Sequence, residues 1–424
     1  MIAPARQVRL GQGSNSVQVR QYNERIVLQA LRRFGAASKA DLARFAGLTN
    51  NAVGGIITEL AAMGLVSEIG KKREGRRGQP ATILTLEPSG AFSLGVRLDR
   101  VGCETVCVDF SGHILSRRAH DFLLPPPDVL LGIVSADVQS IIEEIGPERR
   151  AKLAGIGIAQ PFNLGSWLRE LELPAESFKL WDGFDFAGAL ARDTGLEVFL
   201  ENDGNAAAIA ELFYGCGRSV DDFLYVFIGG AVGGGVVLAS DCLRGSSGNA
   251  GDVAMLPVPG STLASAPPPE RPFDVLLTRS SLTSLKRHIR WHGLKADTLA
   301  DISALFRQSP RPQALDEWID DAVAAFVPAV LSASAVLDIA NVVLECDLDC
   351  GLVEAIIERL APALAAAAPE SVRVPALNAG SFGASAGALG AATLPLFFNF
   401  SPRSSILTGA IGGTREAREH AAAE

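Results

Sequence analysis

The sequence predicts two units of different character. A winged helix-turn-helix covers residues 21–87, and an α/β body covers residues 88–424, with a flexible segment, residues 1–20, in front. Three observations lead there. First, residues 1–86 carry 13 basic and 5 acidic side chains and the remainder 25 and 42, so a basic head precedes an acidic body in a chain of net charge −9; such an asymmetry points to a nucleic-acid module joined to a separate domain. Second, apolar residues recur three times at helical spacing before residue 65, and two short strand patterns follow. Third, strand and helix patterns alternate from Ala91 onward, the mark of a largely parallel sheet with flanking helices.

In the head, Ile26, Val27, Ala30, Leu31 and Phe34 form one helical stripe from Asn23. Ser38 and Asp41 form a capping-box variant that opens a second, short helix through Leu42, Ala43 and Phe45. Gly47 ends it. Thr49 or Asn50 caps a third helix with Val53, Ile56, Ile57 and Leu60 on its inner face. Strands at residues 65–69 and 82–86 flank the basic loop GKKREGRRGQP, and three helices plus such a hairpin make the winged arrangement.

In the body, strands are expected at residues 92–98, 105–109, 114–120, 153–159, 198–201, 223–228, 235–239, 341–345 and 372–377. Helices are expected up to residue 145 after the three prolines at 125–127, and at 184–194, 205–214, 315–338, 351–367 and 383–392. Residues 260–310 are rich in loop signals and resist placement.

The 424 residues are 48% apolar and 20% charged, which excludes a disordered chain;. Residues 223–240 and 374–402 are uncharged and long enough to span a bilayer. The first, however, has five glycines at its middle, and the second is Ala/Gly/Ser-rich with Pro395 in its apolar end. Both read as buried parts of an α/β core, and no membrane partner is expected. The N-terminus lacks the apolar run of a secretory signal. The six cysteines include no Cys-x-x-Cys pair, and the histidines do not join them at zinc-ligand spacing;. Reduced thiols in a cytoplasmic protein without a metal or other cofactor are the expectation.

The third helix offers Asn50, Asn51, Gly54, Gly55 and Thr58 on its outer face. Asn and Thr can bond base edges in a major groove, and glycine lets the backbone approach phosphates. Lys71, Lys72, Arg73, Arg76 and Arg77 place five cations in seven residues at the hairpin tip, suited to phosphates or a minor groove. The DNA-contacting set is therefore Ser38, Thr49, Asn50, Asn51, Thr58, Arg73, Arg76, Arg77 and Gln79. A solvated charged loop beside an ordinary three-helix domain is the plainer alternative.

The stretch RIVLQALRRFGAASKADLARFAGLTNNAVGGIITELAAMGLVSEIG, then GRRGQPATILTLEP and LGVRLDR, resembles the repressor branch of the ROK family. The resemblance continues through GIGIAQPF (155–162), VFLENDGNAAAIAELFYG (198–215), VFIGGAVGGGVV (226–237), GSSGNAGDVAM (245–255) and GASAGALGAA (383–392), nearly the whole chain. It implies a winged helix followed by an actin-like sugar-kinase fold of two lobes, about residues 88–200 plus a C-terminal helix, and residues 201–380.

The family's kinases carry a G-x-D-I-G-G-T hairpin for magnesium and phosphate; here Arg97 stands in place of the acid, in the run Gly95-Val96-Arg97-Leu98-Asp99-Arg100-Val101. A cation cannot hold Mg²⁺, and bulky side chains block the approach that glycine allows. The glycine-rich turn 229–235 has Ala231 where the kinases have threonine. Glu345-Cys346 replaces the glycine pair beside which adenosine lies. The expectation is no ATP binding and no phosphoryl transfer, hence no enzyme.

On the sugar side, the resemblance assigns Asn202, Asp203 and Asp252 to hydroxyl groups of an effector. The motif histidine is replaced by Ala254 and the cysteine-rich zinc loop by PVPGSTLASAPPPERP, so that zinc site is expected to be absent as a unit. Asn202 could instead be only a helix cap, and Asp252 only a surface residue. Together these expectations describe a repressor of sugar transport or catabolism genes, with a double-stranded DNA operator, a sugar or sugar derivative, and further copies of itself in a dimer or tetramer as partners. Two rivals are an active sugar kinase with a DNA-binding appendage and a protein-responsive regulator with a vestigial cleft.

Overall fold

The computed structural model describes residues 16–72, 81–162, 164, 180–181, 183–268, 272–348 and 351–407. Its first unit runs α1 (Ser16–Phe34), β1 (Ala36–Ser38), α2 (Lys39–Ala46), α3 (Asn50–Ala62), β2 (Val66–Lys72) and β3 (Ala81–Leu86), with the strands in the antiparallel order β1-β3-β2. Its core takes Val27, Ala30 and Leu31 from the expected stripe of α1, with Leu42, Val53, Ile56 and Leu60; Leu28, outside that stripe, is also buried, whereas Phe34 is exposed. Gly47 closes α2 at φ +64, and Thr49 caps α3 by accepting a hydrogen bond from the Ala52 amide at 3.2 Å.

Two expectations need correction. The flexible segment was placed at residues 1–20, yet the chain is helical from Ser16. Arg20 reaches Glu24 one turn on and also pairs with Glu59 of α3, which ties the extra turn down;. Strand β1 was not anticipated, since three residues are too few to show alternation. Thr85 supports it by donating to the Gly35 carbonyl at 2.7 Å.

The body begins with β4 (Phe92–Asp99), β5 (Gly102–Asp109), β6 (Ile114–Asp121), α4 (Pro127–Arg150), β7 (Leu153–Gln160), α5 (Phe186–Thr194) and β8 (Val198–Asn202). It continues with α6 (Asp203–Tyr214), β9 (Phe223–Ile228), β10 (Val232–Leu238), β11 (Asp241–Cys242), β12 (Pro257–Val258), β13 (Asp274–Val275), α7 (Leu276–Ser280), α8 (Leu282–Trp291), α9 (Leu299–Phe306), α10 (Gln313–Leu337), β14 (Asn341–Cys346), α11 (Leu352–Ala367), β15 (Ala376–Ala379), α12 (Ala386–Phe400) and α13 (Ser404–Leu407).

Alternation of strands and helices predicts largely parallel pairing, and the resemblance predicts two lobes. Two five-stranded mixed sheets form, ordered β6-β5-β4-β7-β8 and β11-β10-β9-β14-β15. Each opens with antiparallel strands and closes with parallel crossovers. The tight turns after β4, β5 and β9 dictate the antiparallel half. The strand expected at residues 372–377 starts only at Ala376, after Pro375, in register with Asn341. The last major helix runs well past residue 392, through Pro395.

Both uncharged stretches lie inside the body: residues 223–240 are a hairpin, and α12 is buried along most of its length. Helix α10 is long and apolar enough to cross a membrane by length and composition, but half of that window is buried. Its Asp321 holds Arg279 at 2.6 Å and its Asp320 holds Arg359 at 2.7 Å.

Helices α6 and α12 lie between the two sheets. Glycine permits this closeness: a Cβ on Gly95 of β4 would strike the Ala392 backbone, one on Gly157 of β7 the Ala391 carbonyl, and one on Gly390 of α12 the Ala206 backbone of α6. Backbone cannot step aside as a flexible side chain can. Gly157→Ala is therefore expected to destabilise the body by about 3 kcal/mol, the upper end of an overpacking cost. Gly55→Ala, in open space on α3, is expected to stabilise by about 1 kcal/mol;. Thermal unfolding of the two variants, shifted in opposite directions, checks both.

Candidate functional site: a presented helix and an interlobe cleft

On the first unit, α3 faces outward with Asn50, Asn51, Gly55 and Thr58 exposed. The Thr58 hydroxyl donates to the Gly54 carbonyl at 3.0 Å, leaving its oxygen free to accept. Thr49 is exposed, although its oxygen serves the cap. Ser38 does not belong to this face. It is 4% exposed, and its side chain is committed to the capping box with Asp41 at 2.6 Å; a buried, doubly used hydroxyl cannot reach DNA. Lys39, which sequence reasoning missed, extends its ammonium over Gly54. Only tertiary packing of α2 on α3 brings it there. Arg73, Arg76, Arg77 and Gln79 lie outside the described residues, beyond the antiparallel β2–β3 pair that leads to them.

The second region is where β4, β8, α6 and β14 meet. Asn202 is the N-cap of α6, its Oδ1 accepting from the amides of Gly204 (2.9 Å) and Asn205 (3.3 Å). The cap reading is therefore correct for one end of this side chain. Its amide nitrogen points the other way and donates to Asn249 at 3.4 Å, and Asn249 donates to Asp252 at 3.0 Å. Asn202 and Asp252 are thus linked through Asn249, and Asp203, next to Asn202, accepts from the Gly204 amide at 2.9 Å. Asn249 sits in the quoted GSSGNAGDVAM run but carries no signal of its own.

Burial, reinforced by Asp99, raises the Asp203 pKa, against the Gly204 amide, Arg97 and Arg100. Burial also raises that of Asp252. Beneath them the buried Glu201 holds Arg244 at 2.7 Å and takes hydrogen bonds from the Asn202 amide (3.1 Å) and the Asn205 side chain (3.3 Å).

Arg97 reaches from β4 across the cleft floor. Its guanidinium lies 3.4 Å from Asp99 and 3.7 Å from Asp347, which follows β14 in the other lobe. Desolvation opposes its charge, but Asp347, Asp99, Asp203 and Glu104 outweigh it and raise its pKa. Asp347 is pushed up to about 6 by burial, with Arg97 pulling the other way. Glu345 is buried one residue before Cys346. It accepts from the Tyr225 hydroxyl at 2.6 Å and from the amides of Phe382 and Gly383, so it fastens the 380–383 turn. Gly380 lies so close that a Cβ there would meet the Glu345 carboxyl carbon.

The two regions are joined by α6, which begins at the cleft with Asp203. Its last turn carries Phe213, and the buried Arg32 of α1 stacks on that ring, its guanidinium carbon 3.4 Å from the centroid. Burial lowers the Arg32 pKa to about 10. Arg25 donates to the carbonyls of Phe398 (3.1 Å) and Ser401 (3.3 Å) at the end of α12. Arg33 pairs with Asp221 and reaches the Gly217 carbonyl at 3.4 Å.

Residues 94–396 match the ROK family. A protein of Sinorhizobium fredii (strain NBRC 101917 / NGR234), described as uncharacterized protein y4fQ, is 27% identical over 89% of this chain and 91% of its own length. The xylose repressor of Bacillus subtilis (strain 168) is 23% identical over 57% of this chain, and the match spans 61% of the repressor. Among solved structures, a ROK family transcriptional regulator described as a homologue of the Escherichia coli MLC protein superposes with a TM-score of 0.65 at 19% identity, covering 93% of this chain and 98% of its own. That likeness establishes the two-lobed, sugar-kinase-like fold of the body.

The buried carboxylates predict a pH signature. Burial raises Glu345 from its ordinary value to about 7 in the folded chain. The folded state therefore holds this proton more tightly than the unfolded chain. Its stabilising contribution is full below the ordinary glutamate pKa and is lost as pH rises through about 7. Glu345→Gln removes the dependence. The unfolding free energy of the variant minus that of the parent is expected to rise between pH 5 and pH 8 and to flatten above, as measured by urea unfolding across that range.

Proposed function

The chain belongs to the ROK family, and from that premise we propose that it is a sugar-responsive transcriptional repressor whose kinase-like body has become a sensor. Residues 16–87 serve as a winged helix-turn-helix. Helix α3 enters the major groove with Asn50, Asn51 and Thr58, and the β2–β3 hairpin carries Arg73, Arg76, Arg77 and Gln79 to the phosphates or the minor groove. The exposed polar face of α3 and the basic balance of the head support this.

Asp203 and Asp252 accept hydroxyl hydrogen bonds from a sugar or sugar derivative, and Asn202, linked to Asp252 through Asn249, donates from its amide nitrogen. The protein acts as a dimer or higher oligomer on double-stranded operator DNA. The name of the Bacillus relative supports a sugar effector, and residues 201–380 together with the 88–200 lobe supply the cleft.

Phosphoryl transfer is not part of the proposal. In place of a metal-binding acid the cleft floor has Arg97, whose guanidinium neutralises Asp99, Asp203 and Asp347 internally. Glu345 fills the space under the 380–383 turn, where the resemblance puts adenosine. Both arrangements argue against the rival kinase reading.

The observation that carries the proposal is α6. Its first residue, Asp203, lines the cleft and its last turn seats Arg32 of the reader unit. One helix, buried along its length, thus touches both the effector rim and the DNA-binding head. An effector that favours one position of α6 over another would bias the head, as coupling between two sites requires.

Gel-shift titration of the full chain at several salt concentrations, on fragments from its own gene neighbourhood, tests the reading. Salt-sensitive binding is expected, with Arg76→Ala lowering the salt slope by about one unit. A monosaccharide from a thermal-shift panel should release the DNA, and Asp203→Asn should abolish release while leaving DNA affinity intact. Absence of DNA binding at every salt concentration refutes the proposal. Arg32→Met keeps the volume at the α1–α6 contact but removes the charge. It is expected to retain DNA affinity while the effector-induced loss of affinity shrinks towards onefold, measured in the same titration.

A further inference from the structure

We propose that His288, His292 and Glu317 form a binding site for one divalent transition-metal ion of the zinc class. The site lies in the second lobe, away from the cleft. Its residues belong neither to the segment after Asp252, where the family's cysteine-rich loop would stand, nor to position 254, where alanine replaces the motif histidine.

The ligand set is assembled by two helices. His288 lies on α8, and His292, four residues on at its C-cap, projects from the same face one turn later;. Glu317 comes from α10. The His288 Nε2 and His292 Nε2 atoms lie 3.2 Å and 3.0 Å from the same carboxylate oxygen, Oε2, and all three ligand atoms fall within 4.8 Å of one another. Zinc bonds of about 2.0–2.2 Å in tetrahedral geometry place neighbouring ligand atoms about 3.3 Å apart. Both imidazole-to-carboxylate separations lie within a few tenths of an ångström of that spacing.

The atoms that would not touch the metal are already committed. His288 Nδ1 lies 2.8 Å from the Ser265 hydroxyl, and Glu317 Oε1 accepts from the Gln313 amide at 2.7 Å. Such outer contacts fix ring orientation and carboxylate rotation in metal sites. They leave His288 Nε2 and Glu317 Oε2 facing the same point.

The decisive observation is His288 itself. Its ring is 2% exposed, and Nε2, though near Glu317, makes no hydrogen bond among the described residues. With Ser265 at Nδ1, the ring holds Nε2 3.2 Å from the Glu317 carboxylate oxygen. A cation seated there would take Nε2 and the carboxylate oxygen as ligands;. His292 is only part-buried, so a fourth position opens to water. Through Ser265 the ion would clamp the loop after β12 to α8 and α10. Imidazole and carboxylate ligands with an open position suit Zn²⁺, and Co²⁺ serves as its spectroscopic substitute.

The test uses the full chain, stripped with chelator and titrated with ZnCl₂ by calorimetry and with CoCl₂ by visible absorbance. One equivalent per chain is expected, weakened at least tenfold in His292→Ala and in Glu317→Gln. The cobalt spectrum should lack the near-ultraviolet thiolate band that binding by cysteine would produce. No zinc uptake by the parent chain, or unchanged affinity in His292→Ala, overturns the proposal. Circular dichroism confirms that each variant is folded. Should Glu317→Gln fail that check, His292→Ala, at a part-exposed position, decides alone.

Discussion

The architecture depends on direct backbone contact between α12 and its neighbours. Its first thirteen residues, Ala386 to Phe398, are all buried. Small residues at 386–392 bring its main chain against β4 at Gly95, against β7 at Gly157 and, through Gly390, against α6. Interiors this dense transmit displacement, because no void exists to absorb it. The position of α12 therefore fixes α6, and α6 packs on β10 of the other lobe. The end of α12 also offers the carbonyls of Phe398 and Ser401 to Arg25 of the head. One Ala/Gly-rich helix thereby sets the geometry of the first-lobe sheet, the inter-sheet layer and the reader unit together.

Charge is arranged against the same frame. The acidic body gathers Asp99, Asp203 and Asp347 at the cleft floor and answers them with Arg97 from its own chain. Here the cation among them belongs to β4. At the head–body contact, arginines are desolvated instead: Arg32 is stripped of water and stacked on Phe213, and Arg25 is lowered to about 10 by burial beside Arg403. Desolvating a guanidinium costs free energy, offset only in part by ring faces and carbonyls. A contact of this kind is poised to be remade in another geometry more readily than an apolar one.

Much of this was legible in the sequence because it rests on local physics. The caps at Ser38 and Thr49, the Gly47 terminator and the strands of the body follow from periodicity and capping chemistry. What escaped notice depended on tertiary closeness or on too short a pattern. Ser38 was assigned to both cap and DNA contact, but one buried hydroxyl cannot serve both. Strand β1 exists only because β3 lies beside it. Lys39 and Asn249 acquire roles from packing partners far along the chain. The pair His288 and His292 shows a four-residue spacing in the sequence, but Glu317 lies on a separate helix that only the fold brings beside them. The mixed strand directions were not legible because strand–helix alternation reports connections and not strand direction.

The same distinction bears on how an effector could be sensed. Asp203 is at once the first residue of α6 and a member of the cleft rim, so a hydroxyl drawn towards it pulls on a helix end and not on a free side chain. Asn202 caps that helix with one end of its amide and reaches Asn249 with the other. Any rearrangement of Asn249 and Asp252 around a ligand is therefore felt at the α6 cap. Twelve residues later the helix ends at Tyr214, beside Phe213 under Arg32. A helix of this length, buried from Gly204 to Phe213, moves as a body or not at all. Rigidity alone would transmit nothing, however; the coupling needs a joint with two acceptable states. The desolvated, partly unsatisfied guanidinium of Arg32, whose Nε and Nη2 make no hydrogen bond among the described residues, is the element of this contact least committed to its present position.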